Sequence, residues 1–287
     1  MSGQLRTIRK RIRSIESTKK ITRAMEMVSA AKLKRFQKTL QQGLPYTDAL
    51  EGLWGRLHDS ENAFHHPLMA VREEREWAHL VITSDTGLCG SFNTDLTNEA
   101  KRLIASKSRP PLLIGFGKNG AAALARAGIT CQAVFKDVKI AELETVIKKI
   151  TLLLETLFRE RKVDAVYVTR PGFTSQNSFR AVAEKILPFP VTTKPRDGSA
   201  PTRYIFEPGG EFLFTKLIPM IFEAKIREVF LESFVAEQMS RMSAMHQATE
   251  NAGELIESLT LTRNKIRQAA ITNELIEIVS GSRALKT

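Results

Sequence analysis

The stretch Gly115-Phe116-Gly117-Lys118-Asn119-Gly120 carries the spacing GxGxxG between a strand-like run and a helix-like run. In a dinucleotide site such glycines let backbone amides approach a pyrophosphate at a helix N-terminus, and Asp137 and Glu142 lie downstream as candidate ribose partners. The motif ordinarily follows the first strand of its domain, whereas here an earlier strand-like run, His79 to Thr83, precedes it. A tight strand-to-helix turn accounts for the same glycines. A second candidate is the loop Ser84-Asp85-Thr86-Gly87-Leu88-Cys89-Gly90-Ser91-Phe92-Asn93. Cys89 as a nucleophile needs a base within hydrogen-bond reach, and His79 is the one histidine near it in sequence; a structural turn before a helix is the competing reading. The acids Glu73 and Glu74 sit between Arg72 and Arg75 and read as a solvated face. His65-His66-Pro67 reads as a solvated loop without further ligand groups. Cys89 and Cys131 lack companions for a metal cluster and read as reduced, half-buried thiols. No P-loop, HExxH or nucleophile elbow is present. The chemistry-bearing residues therefore predict no catalytic residue, no cofactor and no metal, with the GxGxxG as the one enzyme signal.

These loops belong to a middle region of alternating elements. Candidate strands are His79 to Thr83, Pro111 to Gly115, Cys131 to Phe135 and Ala165 to Thr169. Candidate helices are Thr94 to Ser106, Gly120 to Ala127 and Ala141 to Arg161. Strand, helix, strand at these lengths predicts a Rossmann-like α/β domain with a mostly parallel sheet, over residues 76–207. Phe173 to Phe179 reads as polar loop. Leu187 to Pro201 is rich in proline and turn residues, so the domain closes near Tyr204 to Glu207.

Both ends of the chain read differently. Met242, Met245, Thr249, Ala252, Ile256, Leu259, Arg263 and Ile266 step by three and four alternately, the seam spacing of a helix wound on a partner. With Pro219 in its first turn, this helix runs about 65 residues, or roughly 100 Å at 1.5 Å per residue. At the other end Leu5, Ile8, Ile12 and Ile15 take the same steps. After a slip the pattern resumes at Ile21, Met25 and Val28, before Gly43 and Pro45 end or kink the helix, which continues weakly to about Leu57. Residues 1–57 and 211–287 are thus predicted to pair as a long antiparallel coiled coil.

Composition bounds the function classes. The 287 residues are 43% hydrophobic and 26% charged, enough for a sizeable core, and no apolar run approaches the roughly 18 residues of a membrane span. The N-terminus has no secretory apolar core, so the mature chain is expected to begin near Met1, in a cytoplasm. The net charge of +12 is concentrated before residue 40, where only Glu16 and Glu26 oppose twelve lysines and arginines. Such a helix fits an acidic partner: protein, lipid or nucleic acid. It lacks the aromatic interleaving of single-strand binders.

The segments Ile21-Thr22-Arg23-Ala24-Met25-Glu26-Met27-Val28-Ser29-Ala30-Ala31-Lys32, Ser84-Asp85 to Phe92-Asn93, Arg241-Met242-Ser243-Ala244-Met245 to Asn251-Ala252, and Asn264-Lys265-Ile266-Arg267-Gln268-Ala269-Ala270-Ile271-Thr272-Asn273-Glu274 on to Gly281 resemble the gamma subunit of F-type ATP synthases. The resemblance spans nearly the whole chain. It implies a non-catalytic rotor shaft, its coiled coil inside a ring of alpha and beta subunits. The α/β foot would hold the epsilon subunit and sit on the c-subunit ring, at the cytoplasmic face of a bacterial inner membrane. Carried over by position, Arg23 and Met25 would face the stator from the first helix, and Arg267, Gln268, Thr272 and Glu274 from the second. Thr86 and Ser91 depart from the arginine and glycine frequent in the family, and the cysteine pair of the chloroplast type is missing. A nicotinamide-dependent oxidoreductase using Gly115 to Gly120 and a basic nucleic-acid-binding coiled coil are the alternatives.

Overall fold

The computed structural model describes residues 2–60, 66–175, 178–189, 207 and 209–284. Ten principal elements follow in order: α1 (Ser2–Ser60), β1 (Trp77–Ile82), α2 (Phe92–Ser106), β2 (Leu112–Phe116), α3 (Lys118–Arg126), β3 (Ala133–Phe135), α4 (Leu143–Arg159), β4 (Ala165–Ser175), β5 (Ser178–Leu187) and α5 (Gly210–Ala284). Short 3-10 turns at Pro67–Met69 and Ile140–Glu142 punctuate the connections. The chain divides into two compact units, Ala31–Ser240 and the combination of Met1–Ala30 with Arg241–Thr287, and α1 and α5 contribute to both.

The unit 31–240 is built on a five-stranded sheet of order β3-β2-β1-β4-β5. β1 pairs in parallel with β2 and β4, β2 with β3, and β5 closes the sheet antiparallel to β4. All six residues of β1 are buried, because a central strand covered on both faces has no solvent side to alternate toward. Ala78, Leu80, Ile82, Ile114, Phe116, Val166 and Val168 point to one face, where they join residues of α1, α4 and α5 in a single core. Phe116 meets Phe230 at 5.0 Å and Phe36 meets Phe234 at 5.3 Å between ring centroids. α4 presents Leu143, Ile147, Ile150, Leu154 and Phe158 to this core, the stripe its three-four spacing encodes. On the opposite face Val81 and Leu113 pack on Ala100 of α2 and Leu124 of α3.

Three expectations from sequence are corrected here. Of the stretch read as loop, Phe173 to Ser175 and Ser178 to Phe179 are strand: β4 continues to Ser175 and pairs Phe173 with Phe179 of β5. An edge strand exposes one side, so its polar residues resemble loop composition. Of the two outcomes expected at Gly43 and Pro45, an end or a kink, the end does not occur: α1 runs on past Leu57 to Ser60 with Pro45 inside it. Pro45 is exposed. Pro219 is also interior, ten residues into a 75-residue α5, rather than in its first turn. Of the proline-rich stretch read as closing the domain, 190–206 lies outside the described residues.

The second unit is an antiparallel helix pair. Lys19 Nζ lies against Gly253, the Thr22 and Thr249 hydroxyls are 2.8 Å apart, and Glu26 meets His246 at 3.0 Å, so paired numbers rise on α1 as they fall on α5. Along α5 Met242, Met245, Thr249, Ala252, Ile256, Leu259, Arg263 and Ile266, the seam read from sequence, are all buried or half-buried. On α1 the seam differs from expectation. It continues without a slip from Leu5, Ile8, Ile12 and Ile15 through Lys19, Thr22, Glu26 and Ser29, leaving Ile21 and Val28 59% and 55% exposed. The polar residues are admitted because they satisfy one another: of the Thr22 and Thr249 hydroxyls one donates to the other, and the one that accepts is free to donate along its own helix, to the Lys19 carbonyl from Thr22 or the Met245 carbonyl from Thr249.

Candidate functional site

The GxGxxG turn is assembled around Thr83. Gly117 has φ +86°, and a Cβ there would stand 2.3 Å from the Thr83 carbonyl oxygen; a Cβ on Gly120 would stand 2.4 Å from the Thr83 side chain. The glycines are thus required by close approach of two loops. The amides a pyrophosphate would use are already engaged. Gly117 N–H donates to the Phe135 carbonyl, Lys118 N–H to Asp85 Oδ1, Asn119 N–H to the Ser84 carbonyl and Gly120 N–H to Thr83 Oγ1. This turn is a joint between β1 and β2, and the oxidoreductase reading loses its binding groups.

The 84–93 loop is likewise knit internally. Ser84 N–H donates to Asn93 Oδ1, Asn93 Nδ2 donates to Cys89 Sγ at 3.2 Å, and Ser240 Oγ donates to the Cys89 carbonyl at 2.6 Å. Cys89 is fully buried rather than half-buried; Cys131 is intermediate. His79, the candidate base, points elsewhere: its Nε2 is 2.7 Å from Thr169 Oγ1, its ring stacks on Trp77, and it is wholly enclosed. Among the residues the loop exposes is Leu88, held at φ 61° between Gly87 and Gly90.

The acidic pair and the histidine pair are also reassigned. Glu73 pairs with Arg75 at the surface, but Glu74 receives hydrogen bonds from Lys107, Lys185 and the Tyr167 hydroxyl. Burial alone would raise its pKa; these donors outweigh that and lower it to about 2. His66 is buried, its Nδ1 accepting from Leu68 N–H at 3.2 Å, and burial with the nearby Arg159 lowers its pKa. His65 lies outside the described residues. Burial also lowers the pKa of His79, to about 3.

These shifts set an acid-side stability profile. His79 must be protonated in the unfolded chain below about pH 6.5 but not in the folded one until near pH 3, so stability falls as pH drops through that window, and His66 adds in the same direction. Glu74 adds a loss only from about pH 4.5 downward, where its unfolded form takes up protons first. Between pH 7 and pH 5 the unit should lose roughly 2 kcal/mol, about 1.4 kcal/mol per unit of pH below the unfolded histidine value. Urea midpoints should show most of this slope gone in His79→Gln, whereas Glu74→Gln, less stable throughout, should keep the parent's slope down to about pH 4.5 and lack the further loss below it.

The remaining candidates lie on the paired helices. Arg23 is exposed and Met25 half-buried, beside the exposed Ile21, Met27 and Val28. Arg267, Gln268, Thr272 and Glu274 are all exposed on α5, with Thr272 Oγ1 donating to the Gln268 carbonyl. The structure groups these four together but not with Arg23 and Met25. Thr22 faces Thr249, about five turns of α5 short of Arg267. In the same register Ser2, the first described residue of α1, falls opposite about position 270 of α5. Beyond it Ile271, Leu275, Ile276, Ile278 and Val279 are 49–67% exposed on one broad face of the helix, with Asn273 and Glu274 on the other. An exposed apolar face of this breadth is a surface for another chain.

Among the described residues no group of histidines, cysteines and acids could hold a metal, and no helix is long and apolar enough to cross a membrane. A family model described as ATP synthase matches residues 4–285. The ATP synthase gamma chain of Moorella thermoacetica is 35% identical over 284 residues, covering 99% of this chain and all of that one. That of Desulfitobacterium hafniense is 36% identical over 281 residues, covering 98% and 99%. In fold, the chain is similar to one in the Euglena gracilis mitochondrial ATP synthase OSCP/F1/c-ring structure, with TM-score 0.71 and 17% identity over 99% of this chain and 95% of that one. It is also similar to one in the Tetrahymena thermophila central stalk/c-ring structure, with TM-score 0.59 and 21% identity over 79% and 99%. Matched end to end by relatives with which it shares a third of its residues, the chain belongs to the ATP synthase gamma-chain family.

Proposed function

We propose that this chain is the central rotor shaft of an F-type ATP synthase, coupling ion flow through the membrane sector to ATP synthesis or hydrolysis by a ring of alpha and beta subunits, and regulating that hydrolysis. It performs no nucleotide chemistry itself. The observation that carries this reading is the end of α5, where Ile271, Leu275, Ile276, Ile278 and Val279 form a broad exposed apolar face, which fits a sleeve formed by other subunits. In the proposed division of labour, residues 1–57 and 211–287 form the shaft. Residues 76–207 form the foot that carries the epsilon subunit and rests on the c-subunit ring, so membrane association is indirect, at the cytoplasmic face of a bacterial inner membrane. Arg23, Met25, Arg267, Gln268, Thr272 and Glu274 face the stator. Exposed ion pairs are worth about 0 to 1 kcal/mol each, weak enough to exchange as a shaft turns.

The test is assembly: alpha and beta subunits are mixed with and without this chain, and ATP hydrolysis is followed. The shaft reading expects a chain-dependent rate and copurification of the three. Equal rates in both mixtures would reject it.

A further inference from the structure

One section of the helix pair contains cations and no carboxylate. In α1 residues 2–15 hold Arg6, Arg9, Lys10, Arg11 and Arg13, and in α5 residues 258–273 hold Arg263, Lys265 and Arg267; neither stretch contains an aspartate or a glutamate. In the register set by Thr22 with Thr249 and Glu26 with His246, the two stretches lie side by side. The band has sharp limits: Glu16 follows it on α1, and Glu257 and Glu274 flank it on α5. All eight cations except Arg263 are exposed. Among the described residues none of them makes an ion pair, the contacts of His246 with Glu26 and Glu250 lying outside the band. Arg6 with Lys10, and Arg9 with Arg13, are like charges four residues apart. At about 5–6 Å between Cβ atoms they lie inside the screening length of about 8 Å and repel. Leu5, Ile8, Ile12 and Ile15, in the seam with Ile256, Leu259 and Ile266, hold the pair together here in spite of its charge.

We infer that this band is a cationic collar that docks against carboxylates lining the inner wall of the stator ring. The inference rests on the shaft reading, and it adds Arg6, Arg9, Lys10, Arg13 and Lys265 to the residues that meet the stator. Ions in solution screen the repulsion within the band; fixed carboxylates on a partner turn it into attraction. Leu5, Arg6, Arg9, Lys10 and Arg13 line one concavity of the surface, a place for an acidic side chain. The partner's anions are protein carboxylates rather than nucleic-acid phosphates, because the band runs directly into the exposed apolar face at Ile271, Leu275 and Ile278, and one protein partner covers both. At 100° per residue Lys265 stands away from the seam positions Arg263 and Ile266, as Arg6, Arg9 and Arg13 stand away from Ile8 and Ile12. The outward faces of both helices are therefore charged, and a turning shaft offers cations to the wall on opposite sides. Each exposed contact is weak, so contacts exchange as the shaft turns.

The experiment measures how tightly assembled alpha and beta subunits retain the full chain as salt is raised. A glutamine variant combines Arg6→Gln, Arg9→Gln, Lys10→Gln and Arg13→Gln. A lysine variant combines Arg6→Lys, Arg9→Lys and Arg13→Lys and keeps the charge. The expected result is retention at least about tenfold weaker in the glutamine variant, with a shallower dependence on salt, and within about threefold of the parent in the lysine variant. In the isolated chain, amide exchange of residues 2–30 should be unchanged or slower in the glutamine variant, because a repulsion has been removed. Faster exchange there overturns the inference, since the cations would then hold the helix pair itself. So does a glutamine variant retained as the parent is, at every salt concentration, or a lysine variant that falls as far as the glutamine one. Capture of the parent by a short DNA duplex in preference to alpha and beta subunits overturns the carboxylate assignment. A parent that still copurifies with alpha and beta subunits leaves the shaft reading in place in each of these cases. Hydrolysis indifferent to omission of the chain removes the shaft reading and the inference together.

Discussion

Gly117→Ala is expected to cost the unit 31–240 at least about 4 kcal/mol and, in most preparations, its folded state. Two penalties add. At φ +86° and ψ 135° a side-chain-bearing residue occupies backbone space open almost only to glycine, a cost of order 1–3 kcal/mol. The new methyl would also lie 2.3 Å from the Thr83 carbonyl oxygen, an atom of the backbone that follows β1 and cannot step aside as a flexible side chain could. Thr83 N–H and Oγ1–H both donate to the Phe116 carbonyl, so moving Thr83 breaks the joint between the two strands. Urea denaturation followed by circular dichroism measures the loss. Gly55→Ala is the control: nothing lies within 4 Å of its Cβ, and as a helix-interior change it should stabilise by roughly 0.5–1 kcal/mol.

Met245→Asp is expected to separate the first thirty residues from α5. Met245 is 5% exposed in the helix pair, and truncating a buried methionine alone costs about 2–5 kcal/mol; a carboxylate placed there, one residue from the Glu26 partner His246, adds desolvation and repulsion. Amide hydrogen exchange of residues 2–30 should accelerate by at least a hundredfold, whereas Met245→Leu, nearly equal in volume, should cost less than about 1.5 kcal/mol. Ile21→Asp distinguishes the two possible seams of α1. If Ile21 packed against α5 the change would be as damaging as Met245→Asp; exposed as it is, it should leave exchange within the small range of surface substitutions, about 0.5 kcal/mol. In the assembled complex Met245→Asp should let ATP hydrolysis continue while losing its coupling to ion movement.

That contrast also explains what the sequence could convey. On α5 the seam from Met242 to Ile266 is legible because its three-four period is carried mostly by apolar residues. On α1 the period is just as regular, but Lys19, Thr22, Glu26 and Ser29 carry its second half, while Ile21, Met25 and Val28 form a separate apolar stripe displaced around the helix. A reading that follows apolar residues moves onto the wrong stripe and reports a slip. The alternation of strands and helices from β1 to β4 is legible because buried parallel strands are short apolar runs between helices. β5 is not, since Ser178, Arg180, Glu184 and Lys185 give an edge strand the composition of a loop. Proline is read as a helix end by its missing N–H, yet Pro45 is an exposed residue of α1 and the helix passes through it. The network around Glu74 joins residues up to 111 positions apart, and no local pattern records it. Of the stator-contact candidates, the type of helix that carries them was legible, but their separation into two patches depends on the register of the pair.

The proposition beneath all of this is that the two ends of the chain form one axle that turns as a unit. Thr22→Cys with Thr249→Cys tests it, because the two hydroxyl oxygens are 2.8 Å apart across the helix pair. Mild oxidation of the assembled complex should give a rapid, near-complete disulfide within the chain, with ATP hydrolysis and rotation continuing at close to the reduced rate, since a bond inside the axle opposes nothing that moves. Failure of the disulfide to form in the intact complex, or arrest of turnover when it does, would contradict the account.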